Sequence, residues 1–129
     1  MNILCLDPGT RHTGIAISSD SLLAEPLQTI YEKNLDLLIH KISPLITKYK
    51  PQLVVIGQPD HGPLVGYAQD VKNKLSLIYS GEIVLFDENL SSKTARSKMR
   101  EAGKKSHEIK QREHQTAAAI ILQDYLDSL

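Results

Sequence analysis

The sequence is poor in cysteine and in aromatic residues: among 129 residues there are one Cys, no Trp, one Phe and five Tyr. A single cysteine, Cys5, excludes an internal disulfide and a cysteine-rich zinc site. No apolar run reaches the roughly 18–20 residues of a membrane span, and the first residues lack the order of a signal peptide. Apolar residues make up 41% and charged residues 23%. We therefore expect a soluble cytoplasmic protein, with one domain over residues 1–129 and an aliphatic core.

The charge of the chain is balanced but unevenly distributed. There are 15 basic and 15 acidic residues in total, yet residues 93–112 hold eight basic and only two acidic residues. A concentrated basic segment on a neutral protein can bind a polyanion at one place. The other interpretation is a solvated helix face followed by a basic loop, and the charge pattern alone leaves both open.

Short apolar runs predict five strands in an α/β fold. Three strands come first and pair antiparallel, and the later strands alternate with helices, which favours parallel pairing. The expected architecture is a five-stranded mixed sheet with helices on both faces. Pro26 would confine the third strand to an edge. The strands are predicted over residues 2–6, 13–19, 23–30, 52–57 and 82–87.

Apolar residues spaced three and four apart predict the helices. The predicted helices cover residues 34–49, residues 63 to about 79, a segment from Ser91 or Ser92 to before Gly103, and residues 113–127. Pro44 lies inside the first helix and predicts a kink or a break. Residues 104–112 are polar and basic, which indicates a mobile loop or a frayed helical start.

Two acidic positions follow predicted strands. Asp7 ends the first strand beside a turn, and Asp87 and Glu88 follow the fifth. Functional residues of such sheets gather at the carboxyl ends of the strands, and hard divalent cations prefer carboxylate ligands. Adjacent residues of an extended chain point to opposite faces, so only one of Asp87 and Glu88 can share a site with Asp7. Taken singly, each acid can also be an ordinary turn or loop residue.

His114 lies where the last predicted helix begins, ahead of three consecutive alanines. Alanines allow a helix to pack close to the sheet, and His114 is about one turn before Ala117 and Ala118 on the inward side. Such an imidazole can ligate a metal or transfer a proton, or be an ordinary helix-end histidine. The remaining histidines lack metal-ligand spacing and are expected mainly at the surface, with His12 and His61 as candidate substrate contacts.

Four sequence blocks, in this order and spacing, carry a family resemblance: LDPGTRHTGIAISSD, VVIGQP, FDENLSS and HQTAAAIILQDYL. They resemble the YqgF/RuvX family of bacterial RNase H-like proteins over nearly the whole chain. The resemblance implies an RNase H-like fold and hydrolysis of phosphodiesters with a divalent metal. Members are described as Holliday junction resolvases and as nucleases that mature the 5′ end of precursor 16S rRNA.

The resemblance implies a role for each position of this sequence that matches a site residue of the family pattern. Asp7 matches the first acid of the family pattern and Glu88 matches the Glu of its Asp-Glu block. The final acid of the pattern falls on His114, which removes one negative charge from the metal site; histidine occurs at this position in other RNase H-like nucleases. Asn89 stands where the family has Arg, and Gln58 where it has Leu. We expect Asp7, Glu88 and His114 to be catalytic and to hold Mg²⁺ or Mn²⁺.

The expected substrate is structured nucleic acid, most simply precursor 16S rRNA, with no membrane partner and mainly a monomeric protein. One alternative is a Holliday junction resolvase, which needs a homodimer, and another is a nucleic-acid-binding module that has lost catalysis. An ATPase with a similar first phosphate loop needs two such domains, which this length does not supply. The residues expected to bind nucleic acid are Arg11, Lys93, Arg96, Lys104, Lys105, Lys110 and Arg112.

Reversing the charge of Lys104 and Lys105 tests the basic segment. If these side chains contact phosphates, the K104E/K105E variant binds structured RNA more weakly, and its affinity falls less steeply with salt, because fewer counterions are released. Affinity measured across a salt series checks this. An unchanged salt slope would assign the segment to the solvated surface.

Overall fold

The computed structural model describes residues 1–59, 61–87 and 107–129, apart from the side chains of 107–111. Its centre is one five-stranded sheet with the strand order β3-β2-β1-β4-β5. The first three strands are antiparallel, and β4 and β5 run parallel to β1, which confirms the predicted mixed sheet. The strands are β1 Ile3–Pro8, β2 Thr13–Ser18, β3 Glu25–Ile30, β4 Leu53–Gln58 and β5 Glu82–Asp87.

The central strand β1 divides the core into two halves, because its side chains alternate between the faces of the sheet. Leu4 and Leu6 belong to the cluster beneath α1 (Leu35–Tyr49) and α2 (Leu64–Leu75). Ile3 and Cys5 belong to the cluster beneath α3 (His107–Asp127). Helices therefore cover both faces, as predicted. Cys5 is fully buried, in agreement with a small core residue.

Strand β3 forms one edge of the sheet, as Pro26 predicted. It pairs with β2 only, and the register shifts between Ile15 and Ala16, next to the pairing of Ala16 with Pro26. Proline cannot donate a hydrogen bond to a ladder, and an edge strand tolerates that loss at its outer side.

The first helix is capped at both ends. The backbone N–H of Leu37 donates to Asn34 Oδ1 at 3.0 Å, and Lys50 ends the helix in a left-handed conformation with φ of 47°. The helix runs uninterrupted through Pro44, so the predicted break does not occur. Pro44 is exposed, so the carbonyl that it leaves without an intrahelical partner can face water, while Ile42 and Leu45 hold the inner face in the core.

The two later helices differ from their predicted bounds. Helix α2 ends at Leu75 rather than near residue 79, and helix α3 begins at His107 instead of residue 113. The segment 107–112 lacks Gly and Pro and is rich in good helix formers, so its polar, basic character did not indicate a loop. The helix predicted from Ser91 or Ser92 lies outside the described residues. In the parts of the chain that the structure describes, no helix is long and apolar enough to cross a membrane.

Helix α3 lies directly against β2 at Gly14. A Cβ atom placed on Gly14 would overlap the carbonyl of His114 and lie 3.0 Å from the backbone nitrogen of Gln115. Only glycine allows the two backbones to approach this closely. Gly14 is also the antiparallel partner of Asp7, so this contact positions the His114 segment of α3 beside the end of β1.

Replacing Gly14 with alanine tests this contact. The Gly14→Ala variant should lose about 3 kcal/mol or more of unfolding free energy, because backbone rather than a flexible side chain opposes the added methyl group. Gly66→Ala is the matched control: nothing lies within 4 Å of a Cβ there, and helix propensity favours alanine by about 0.5–1 kcal/mol. Urea denaturation measures both, and equal stability of the two variants would contradict the prediction.

Candidate active site

Asp7 lies near the carboxyl end of β1 on the face that α3 covers. It follows Ile3 and Cys5 in the alternation of β1, and it is half-buried. Directly opposed residues of an antiparallel pair lie on the same face, and the residue opposite Asp7 is Gly14, against which the backbone of His114 packs. Asp7 and His114 therefore belong to one end of the sheet and to one face.

His114 is held in a small group of rings. Its imidazole stacks on that of His12, with ring centroids 3.3 Å apart and planes at 23°. The ring of Tyr31 meets His114 edge to face, with centroids 6.5 Å apart. No local sequence pattern predicted this group, because its members come from the β1–β2 turn, the end of β3 and helix α3.

His12 is fixed by the turn between β1 and β2. The backbone N–H of Gly9 donates to the His12 carbonyl at 2.8 Å, and the His12 ring lies so close to Gly9 that any Cβ there would crowd it. Burial lowers the pKa of His12, and the nearby carboxylate of Glu113 opposes that shift. His12 is thus half-buried, and its neutral form is favoured where it packs on His114. Its role as a substrate contact stays a prediction.

The donors at this end of the sheet fit a hard divalent cation. Asp7 offers carboxylate oxygens, and a neutral imidazole such as that of His114 offers one nitrogen lone pair in the plane of its ring. Stacking on His12 restricts the orientation of that ring. Magnesium is usually held by one or two carboxylates and keeps several waters. Within the described residues no group of three His, Cys, Asp or Glu side chains is assembled for a metal, and Glu88, the third predicted ligand, lies outside them.

Asp87 ends β5 and lies on the other face of the sheet from Asp7. Its neighbour Phe86 packs in the core cluster beneath α3, with its ring edge to face on Tyr125 at 5.5 Å. The alternation of the strand therefore turns Asp87 toward the side of α1 and α2. Asp87 is therefore not placed to share a site with Asp7, and the prediction that Glu88 does so concerns a residue outside the described part of the chain.

Two grooves share Tyr31, the residue whose ring contacts His114. The larger groove, about 510 Å³, includes Arg112, and the smaller one, about 340 Å³, includes Arg11. Both arginines are exposed, and each lines a groove together with Tyr31, whose ring contacts His114. Their role in binding nucleic acid stays a prediction. Lys93, Arg96, Lys104 and Lys105 lie outside the described residues, as does the side chain of Lys110. The other lining residues are Gln28, Thr29 and Gln115 in the larger groove and Glu32, Lys33 and Asn34 in the smaller.

The sequence model of the RuvX family, described as Holliday junction resolvase, matches residues 1–128. The chain belongs to the RuvX family. A protein of Chloroflexus aggregans named "Putative pre-16S rRNA nuclease" is 37% identical, over 98% of this chain and 93% of its own length. The protein of the same name from Lactococcus lactis subsp. cremoris is 32% identical, over 98% of this chain and 94% of its own length. This RuvX protein is accordingly a nuclease, a hydrolase of phosphodiester bonds in nucleic acid.

Solved structures confirm the RNase H-like fold. RuvC of Thermus thermophilus, solved in complex with a Holliday junction substrate, superposes with a TM-score of 0.63 at 12% identity, covering 99% of this chain and 94% of RuvC. The fowlpox virus Holliday junction resolvase gives a TM-score of 0.60 at 16% identity, with both chains covered completely. At these identities the likeness concerns the fold of the RuvX protein.

Proposed function

We propose that this RuvX protein is a divalent-metal-dependent nuclease that matures the 5′ end of precursor 16S rRNA in the cytoplasm. The observation that carries the proposal is the meeting of Asp7 and His114 at one end of the sheet, where the backbone of α3 packs on Gly14. The names of the relatives, which refer to pre-16S rRNA, support this choice of substrate. The exposed arginines beside His114 support a polyanionic ligand.

In this proposal Asp7, Glu88 and His114 hold Mg²⁺ or Mn²⁺. When bound, such an ion supplies a Lewis acid that activates water and stabilises the charge developing on the phosphate. Asp7 contributes a fixed carboxylate, because the ladder between β1 and β2 holds its backbone. His12 orients His114 by stacking on it.

The arginines bind the sugar–phosphate backbone. Arg11 and Arg112 flank the site from two different elements, the β1–β2 turn and helix α3. Contacts of this kind position the substrate without reading its sequence. The basic residues Lys93, Arg96, Lys104, Lys105 and Lys110 extend this role in the proposal.

A Holliday junction resolvase is the second candidate function, and the description of the RuvX family favours it. Resolution of a junction needs two active sites on two strands, hence a homodimer, whereas rRNA maturation is compatible with the monomer that we expect. A binding module without catalysis is the third candidate, favoured by His114 in place of the family acid.

Replacing Asp7 with asparagine tests catalysis and separates these candidates. Asp7→Asn should lower metal-dependent cleavage at least about 100-fold, because it removes a charged ligand. Asp87→Asn is the matched control: it alters a strand-end acid on the opposite face and should keep full activity. The assay uses precursor rRNA fragments and four-way DNA junctions with Mg²⁺ or Mn²⁺. Cleavage of junctions alone would favour the resolvase, and equal cleavage by wild type and Asp7→Asn would overturn the nuclease site.

Variants of His114 test its role as a ligand. His114→Ala should weaken Mn²⁺ binding, measured by calorimetry, and leave the protein folded. His114→Asp should preserve cleavage and extend Mn²⁺ binding to lower pH, because a carboxyl group loses its proton at lower pH than an imidazole does. If His114→Ala bound Mn²⁺ and cleaved RNA like the wild type from pH 5 to 8, His114 would not be a ligand.

A further inference from the structure

Tyr31 is the one exposed aromatic residue of the chain. All six aromatic residues fall in the described parts, and the other five are buried or half-buried. Tyr31 is 59% exposed and follows directly after β3. Its edge-to-face contact with His114, at 6.5 Å between centroids, fixes it beside the candidate active site. A large ring left open to solvent at this place calls for an explanation, because its apolar surface would be stabilised by burial.

The surroundings of Tyr31 indicate what covers the ring. Arg112 lines the larger groove, Arg11 lines the smaller one, and Tyr31 lines both. An exposed aromatic ring between grooves that each carry a guanidinium combines the two features of single-strand binding sites, positive charge for the backbone and a ring for a base. Glu32 also lines the smaller groove, but its carboxylate is paired with Lys41 at 2.9 Å.

The larger groove also presents polar groups to a base edge. It is lined by the amides of Gln28 and Gln115 and by Thr29, whose hydroxyl donates to Gln115 Oε1 at 3.4 Å. Amide side chains can hydrogen-bond to the edges of unpaired bases while an aromatic ring stacks on their faces. The groove therefore suits a nucleotide better than an apolar ligand.

We propose that Tyr31 is a stacking platform for one unpaired base of the substrate, with the phosphates on either side of that base held by Arg11 and Arg112. The inference rests on the proposed nuclease function and adds a substrate class. A base can offer its face to Tyr31 only when it has left the helical stack. The substrate therefore has a single-stranded or unstacked nucleotide next to the cleaved bond, and an intact duplex lacks the group that this subsite binds.

The absence of tryptophan allows a direct test. In Tyr31→Trp the new indole is the sole tryptophan of the protein, and stacking of a base on it quenches its fluorescence. The probes are a 12-nucleotide single-stranded RNA and the blunt duplex of the same RNA, both in EDTA so that no cleavage occurs. We expect saturable quenching by the single strand and little by the duplex.

Leu77→Trp is the matched control. Leu77 is 79% exposed and lies beyond α2, in a groove that shares no residue with those around Tyr31. Its indole should be accessible to solvent and not quenched by the RNA. Absence of quenching in Tyr31→Trp, or equal quenching by single strand and duplex, overturns the proposal.

Affinity and cleavage measurements complete the test. Tyr31→Phe keeps the ring and should bind the single strand like the wild type, whereas Tyr31→Leu should bind roughly 5- to 100-fold more weakly, the usual range for losing one stacked base. If Asp7→Asn abolishes cleavage and Tyr31→Leu changes neither binding nor cleavage, the nuclease function is supported and the stacking site is contradicted. If the single strand selectively quenches the fluorescence of Tyr31→Trp but the wild type cleaves no RNA or DNA, the stacking site is supported and the nuclease function is contradicted.

Discussion

The contact between the backbone of α3 and Gly14 determines how the site is assembled. Because no side chain separates the helix from β2 at this point, His114 comes to the level of Asp7, the ladder partner of Gly14. A larger residue at position 14 would push α3 away from the sheet at His114. The imidazole, the carboxylate and the two flanking arginines would then no longer share one end of the sheet. The packing of the core and the geometry of the site thus depend on the same glycine.

Around this contact, the rings of His12 and Tyr31 pack on His114, one of the residues that depart from the family pattern. His114 replaces an acid and so removes a negative charge from the site. The ring of His12 stacks on it and is itself buried enough that its pKa is lowered. A neutral stacked partner restricts the orientation of His114 without adding a positive charge next to it.

The alternation of side chains along the strands places Asp7 and Asp87 on opposite faces of the sheet. Asp7 faces α3, whereas Asp87 faces α1 and α2, because its neighbour Phe86 is packed beneath α3. Arg11 and Arg112 lie on the side of His114, where Tyr31 joins their grooves. The surface near His114 therefore combines cations, an aromatic ring and amides, a composition that fits the backbone and an unstacked base of a nucleic acid.

Hydrophobic periodicity was enough to predict the five strands, the edge position of β3 and the core on both faces of the sheet, because these are local signals. The roles of Asp7 and His114 stay predictions. The polar, basic character of residues 107–112 concealed their helical propensity, and the pattern around Pro44 did not show that this residue faces solvent and leaves α1 continuous. The meeting of His12, Tyr31 and His114 depends on the tertiary structure. These residues are separated by tens of positions, and their contact follows from the close packing of α3 on Gly14, a distance that no local pattern encodes.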